Sequence, residues 1–205
     1  NKSLLRLKYY YFNTGYFNVN ATYTVDTVAI KKAKIKYQVT PGSAFYLDSI
    51  TSSISTAVLD SLFQANKSNS LIKSGIQYQT VDFENEKNRI STNFRNNGAY
   101  YFQPNYVTFN IDTIKKVNKA DITLIINNYS YQDGDSTKSE PFKLYKISDV
   151  NIYTDYSPSS NAIIIGDSTT FNNFNLFSQK KLKYKPKAIT DAIFISKGGY
   201  YADFK

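Results

Sequence analysis

The sequence predicts an α+β chain assembled from repeated β-α-α-β-β units, and three observations predict it. Stretches in which every second residue is apolar mark strands, as in Ala33-Lys-Ile35-Lys-Tyr37-Gln-Val39. Stretches with apolar residues three and four apart mark helices, as in Leu5, Tyr9 and Phe12. The run Asn13-Thr-Gly-Tyr-Phe17 recurs as Asn97-Gly-Ala-Tyr-Tyr-Phe102, with 83 residues between Gly15 and Gly98, so the chain carries an internal repeat.

The elements follow in order. Residues 3–13 read as a helix stopped by Gly15. Phe17, Val19, Ala21, Tyr23 and Val25 alternate as a strand, and 33–39 pair back as a hairpin ended by Pro41-Gly42. A second unit opens near residue 44 with a strand over 45–54 and a short helix over 56–66. Asp82 reads as the N-cap of a longer helix with Glu84 and Glu86 in its first turn. Phe83, the stem of Lys87, Ile90 and Phe94 read as its inner face, and Gly98 as its stop. Strands over 106–112 and 120–126 complete the unit. The polar segment 128–139 reads as a flexible surface loop. A third unit opens with a strand over 142–153, then a polar loop over 157–184 around the apolar run 162–165, then a helix over 187–195. Lys197-Gly198 echoes Lys73-Ser-Gly75, the point just before the long helix of the second unit. The expected division is 1–43, 44–137 and 138–205: the end of one unit, one whole unit, and the start of another.

Composition narrows the function. The chain has 205 residues and no Cys or His, which excludes disulfides, zinc sites of the Cys/His kind, Ser-His-Asp and Cys-His catalysis, and an imidazole switch. It also has no Met, so residue 1 is not expected to be a translational start. Net charge is +9, and residues 1–43 hold seven bases against one acid. Lysines alternate with apolar residues on strands, so they read as the wet face of a sheet rather than a nucleic-acid patch. An anionic membrane surface is a further possible partner. Ser70-Leu-Ile-Lys73 matches Ser-x-x-Lys, but in a polar loop and too briefly to carry an enzyme reading. Glu84 and Glu86 diverge on a helix and cannot flank one bond. Asp133-Gly-Asp135 lacks further oxygen ligands for calcium.

Gly15-Tyr-Phe17 with Lys34-Ile-Lys-Tyr-Gln-Val-Thr-Pro-Gly42, and "FENEKNRISTNFRNNG" at 83–98 followed by Tyr106–Thr113, resemble POTRA domains. These are the periplasmic modules of the BamA/TamA family of outer-membrane assembly proteins. Glu86, Arg89, Ile90, Arg95, Asn97 and Gly98 resemble most closely the TamL-type members of Bacteroidota. "YKISDVNIYTDY" at 145–156 and "YKPKAITDAIFISKGGYY" at 184–201 look like the opening of a further POTRA domain. The chain departs from the pattern at Ala99, at Gly199 and in the long segment 157–184.

The resemblance implies tandem POTRA-like units, each a small sheet with two helices on one face, and a location in the periplasm. It implies no catalysis and no cofactor. Partners would be unfolded outer-membrane or exported polypeptides, other assembly-machinery subunits and a C-terminal membrane barrel of the same parent chain, with no nucleic acid. An exposed strand edge offers unpaired N–H and C=O groups to an incoming strand, with little demand on sequence. The candidate edges are Val19, Ala21, Tyr23 and Val25 in the first unit and Val107, Phe109 and Ile111 in the second, with Asn18, Asn20, Asn110 and Asp112 toward water. Pro41 and Gly42 are the candidate interdomain joint. The alternative is a non-enzymatic cell-surface module whose 19 Tyr bind a glycan or protein.

Overall fold

A computed structural model describes residues 2–157 and 164–203. It divides into two compact units, Asn1–Ser91 with Gln103–Pro141, and Thr92–Phe102 with Phe142–Lys205.

In the first unit, α1 (Lys2–Asn13) leads into an antiparallel ribbon of β1 (Asn20–Ala29) and β2 (Lys32–Thr40). Then come β3 (Tyr46–Ile54), α2 (Ala57–Ala65), α3 (Thr80–Asn96), β4 (Val107–Asp112) and β5 (Lys119–Ile126), the end of α3 from Thr92 onward belonging to the second unit. The sheet order is β3-β5-β4, with β3 parallel and β4 antiparallel to β5. This is the β-α-α-β-β unit that the sequence predicts. Its core follows from the alternation of β5: Ala120, Ile122, Leu124 and Ile126 are buried and the residues between them half-exposed. Leu59 and Phe63 of α2 and Phe83 and Ile90 of α3 are buried too. A cavity of about 20 Å³, lined by Ile50, Ser52, Phe63, Glu86, Phe109 and Leu124, shows both helices on one face of the sheet. Each such apolar side chain contributes about 1.5–3 kcal/mol on full burial.

The long helix differs from expectation at its start and on its inner face. It begins at Thr80, so Asp82 lies inside the first turn rather than at the N-cap. Glu86, 1% exposed, is an inward residue that the expected face does not include. Phe83, Glu86 and Ile90 form the three-and-four spacing, while Lys87 is half-buried and its amine reaches Glu84 at 2.9 Å. The segment expected as a flexible loop is a hairpin of β6 (Tyr129–Asp133) and β7 (Ser136–Glu140). Gly134 opens its two-residue turn and the rings of Tyr129 and Tyr131 stack at 5.7 Å.

The second unit holds β8 (Val150–Tyr153), β9 (Asp167–Phe171), β10 (Phe174–Ser178) and α4 (Pro186–Thr190). The strand expected over 142–153 is regular only at its end, with one isolated bridge from Lys146 to Tyr200 before it. The expected polar loop contains the β9–β10 hairpin, and β10 pairs parallel with β8. Asn172 and Asn173, at φ 48° and 66°, supply the turn, a chemistry that Asn tolerates. Ala162 and Ile163 of the expected apolar run lie outside the described residues. The helix expected over 187–195 spans five residues; tighter bonds from Ala192 and Ile193 to Ile189 and Thr190 close it. Among the described residues no helix is long and apolar enough to cross a membrane, which says nothing of a β-barrel.

Candidate functional site

The strand edges are the first candidate. β4 is an edge strand, and among the described residues its backbone pairs with β5 alone. Val107 is buried and Phe109 and Ile111 half-buried, so these side chains serve the core while the backbone edge faces outward. Thr108 and Asn110 on the other face are exposed. The opposite edge, β3, is closed at its start, at Tyr46 and Leu47. Leu47 N–H donates to the Ile76 carbonyl, and Gly75 and Tyr78 N–H donate to the carbonyls of Leu47 and Phe45, at 2.8–2.9 Å. Further along, the Asp121 carboxylate accepts from Ser49 N–H at the irregular register between Leu47 and Ile50. In the ribbon, β1 and β2 pair only with each other, among the described residues. Ala21 is buried; Tyr23 and Val25 are exposed. Val19 is a correction: it precedes β1, and its N–H closes a turn onto the Tyr16 carbonyl at 3.2 Å.

The second candidate is a junction that occurs twice, once inside each unit. Phe45 N–H donates to the Gly15 carbonyl at 2.9 Å, and Tyr145 N–H to the Gly98 carbonyl at 2.8 Å. Leu47 N–H reaches the Ile76 carbonyl as Ile147 N–H reaches that of Gly199. Gly75 N–H reaches Leu47 as Gly198 N–H reaches Ile147, and Tyr78 N–H reaches Phe45 as Tyr201 N–H reaches Tyr145. The helix stops match too. Gly15 N–H bonds Phe12 and Tyr16 N–H bonds Tyr11, as Gly98 N–H bonds Arg95 and Ala99 N–H bonds Phe94. Both glycines need to be glycine. Their φ values are 88° and 100°, and a Cβ would stand 2.9 Å from the Tyr78 carbonyl oxygen or from a Tyr200 ring carbon. The aromatic filling also repeats. Phe17 meets Phe45 and Tyr78 at ring-centroid distances of 5.0 and 4.9 Å, and Tyr100 meets Tyr145 and Tyr201 at 6.0 and 4.8 Å. Pro41 and Gly42 lie in the connection between β2 and β3 that precedes the first junction.

Sequence reasoning missed two ionic clusters. In the first unit, Glu86 accepts from the Ser70 hydroxyl at 2.8 Å, Leu71 N–H at 3.0 Å, and Arg89 Nε and Nη2 at 2.8 Å each. Burial pushes its carboxyl up, but the Arg89 guanidinium, Leu71 N–H and the Ser70 hydroxyl more than offset this and hold it below the usual range. Ser70 of the Ser-x-x-Lys run is thereby a turn staple: its oxygen also accepts from Ile72 N–H at 3.2 Å. In the second unit, Arg95 grips Asp203 in a fork and donates to the carbonyls of Tyr100 at 2.8 Å and Phe102 at 3.2 Å. Arg95, then the Tyr201 hydroxyl, hold Asp203 down at about 2. The Tyr cluster is part of this junction. Its rings meet edge to face, so they present edges rather than one flat stacking surface.

No family model matches the chain, and no curated protein matches it. Among solved structures it is similar to the crystal structure of Haemophilus influenzae BamA POTRA3-5, at 14% identity and a TM-score of 0.42. That likeness covers 99% of this chain and 63% of the other, so the chain spans less than two thirds of its length. The α+β fold and its repeat rest on the strand order and junction bonds described above.

Proposed function

We propose that the chain belongs to the periplasmic, substrate-receiving arm of an outer-membrane protein assembly or translocation factor of the BamA/TamA kind, nearest in its motifs to TamL-type proteins of Bacteroidota. The arm is non-catalytic and works without a cofactor. It is read as POTRA-like units over 1–43, 44–137 and 138–205, the first and third partial. The doubled junction supports that division, since the same backbone bonds recur at Phe45 and Tyr145, close to the starts read for the second and third POTRA-like units. Clients would be unfolded outer-membrane or exported strands, and the other partners would be assembly subunits and a barrel of the same parent chain.

The observation that carries the reading is the contrast between the two edges of one sheet. β3 is covered at its start, at Tyr46 and Leu47, by residues 75–78, whereas, among the described residues, the outer edge of β4 is uncovered along its whole six-residue length. Affinity would come from main-chain bonds, and the exposed Thr108 and Asn110 would set little sequence demand. The test is a titration of isotopically labelled chain with a synthetic amphipathic strand peptide, followed by amide NMR. Shifts and slowed exchange are expected along Val107–Asp112, and secondarily along Ala21–Val25. Shifts confined to Tyr100, Tyr145 and Tyr201, or none, would favour the alternative of a surface module binding a glycan or protein.

A further inference from the structure

We propose that the tip of the β1–β2 ribbon docks on an anionic lipid surface. Two aliphatic side chains stand out at this tip: Val28 is 67% exposed and Ile30 91%. Around them are Lys31 in the turn and Lys32, Lys34 and Lys36, which share one face of β2. Among the described residues none of these four lysines has an ion-pair partner, and Asp26 is the one acid in residues 1–43. The connection between β4 and β5 is the matching tip of the next hairpin and serves as an internal comparison. It too bares two aliphatics, Ile114 at 92% and Val117 at 88%. Its lysines, however, are neutralised: Lys115 by Asp112 at 2.8 Å, Lys119 by Asp48 at 3.0 Å, and Lys116 by Asp48 and Asp121.

Charge complementarity selects the partner. The first tip carries uncompensated positive charge and the second does not, so the first alone suits an anionic surface. The aliphatic pair selects lipid over a purely polar polyanion. A convex turn gives Val28 and Ile30 no pocket of their own, yet apolar side chains ringed by lysines are what the headgroup and acyl boundary accepts. The tip lies beyond Ala21–Val25, the part of β1 used by the edge-strand reading, so the two proposals stand independently.

The test is sedimentation of the 205-residue chain with two kinds of vesicle, phosphatidylcholine alone and equal parts phosphatidylcholine and phosphatidylglycerol. Pelleting is expected with the mixed vesicles only, and added salt should release it. Val28→Asn with Ile30→Asn, and separately Lys31→Glu with Lys32→Glu, should each lower binding about tenfold. Ile114→Asn with Val117→Asn should leave it unchanged. All these positions are exposed, so thermal melts should match the parent. Three results would overturn the proposal: equal pelleting with phosphatidylcholine alone, no pelleting, or first-tip variants that bind like the parent. Tip-dependent binding to a DNA duplex with no vesicle binding would overturn it as well.

Discussion

Replacing Glu86 by Ala should unlock the edge of β3 as well as weaken the first unit. The carboxylate is 1% exposed and accepts four hydrogen bonds, two of them from the loop at Ser70 and Leu71. Removing one partner of a buried ion pair costs about 3–5 kcal/mol. The Arg89 side chain keeps 20% exposure and can rehydrate, so the low end applies, about 3 kcal/mol. For a unit of this size that corresponds to a fall of about 10 °C in melting temperature. Glu86→Gln keeps one acceptor oxygen, enough for Leu71 N–H but not for Ser70 as well, and should cost less, about 1–2 kcal/mol. The loop leads straight into Gly75–Tyr78, the segment that covers β3. Amide exchange should therefore quicken at Leu71, Leu47 and Tyr78 in the Ala variant before it does in β5. Because the folded carboxyl is held low, its contribution is present above the ordinary glutamate value of 4.5 and is lost as the pH falls below it. Thermal melts followed by circular dichroism from neutral to acid pH, with hydrogen exchange, check all of this. A Glu86→Ala variant melting within about 1 °C of the parent would refute the reasoning.

Other outcomes follow from the junctions. Gly15→Ala and Gly98→Ala should each destabilise by about 2–3 kcal/mol, since a Cβ there meets both an unfavourable φ and a close neighbour; urea unfolding measures it. Asp203→Asn should cost about 1 kcal/mol at neutral pH, a figure discounted because the Asp203 side chain is 38% exposed. The parent should hold that contribution above the ordinary aspartate value of 3.8 and lose it as the pH falls through about 2, while the Asn variant should show no such loss. Melts of parent and variant across the acid range decide it.

The parts of the fold legible in the sequence are those written by local rules. β5 could be read because one buried face and one wetter face leave a two-residue period, and the glycine stops because only glycine suits their φ. The inward Glu86 could not be read, since its burial depends on Ser70 and Leu71, 16 and 15 residues away, and a carboxylate scores as surface in any periodic pattern. The hairpins β6–β7 and β9–β10 are too polar to alternate, and only Asp133-Gly134 and Asn172-Asn173 mark them. The edges of the sheet were half legible. That β4 is a strand follows from Val107, Phe109 and Ile111, but that β3 is covered at its start follows from bonds to residues 75–78.

The doubled junction separates what the fold requires from what it tolerates. The backbone bonds and both glycines recur, whereas the side chains around them change chemistry. Phe12, whose ring meets Phe17 at 5.0 Å, occupies the place of Arg95, which grips Asp203. Thr80, which donates to the Asn13 side chain at 3.3 Å, occupies the place of Asp203, whose N–H donates to the Asn96 side chain at 2.9 Å. Backbone geometry therefore fixes the join, and side chains set its response to conditions. An aromatic filling is insensitive to ionic strength, while a part-exposed Arg–Asp fork is screened by salt and lost in acid. On this argument the tyrosines of the second unit need no ligand to account for them: Tyr100, Tyr145 and Tyr201 stand where Phe17, Phe45 and Tyr78 stand in the first. The lysine-flanked tip of the ribbon is different: Val28 and Ile30 stand exposed there with no packing role in the fold.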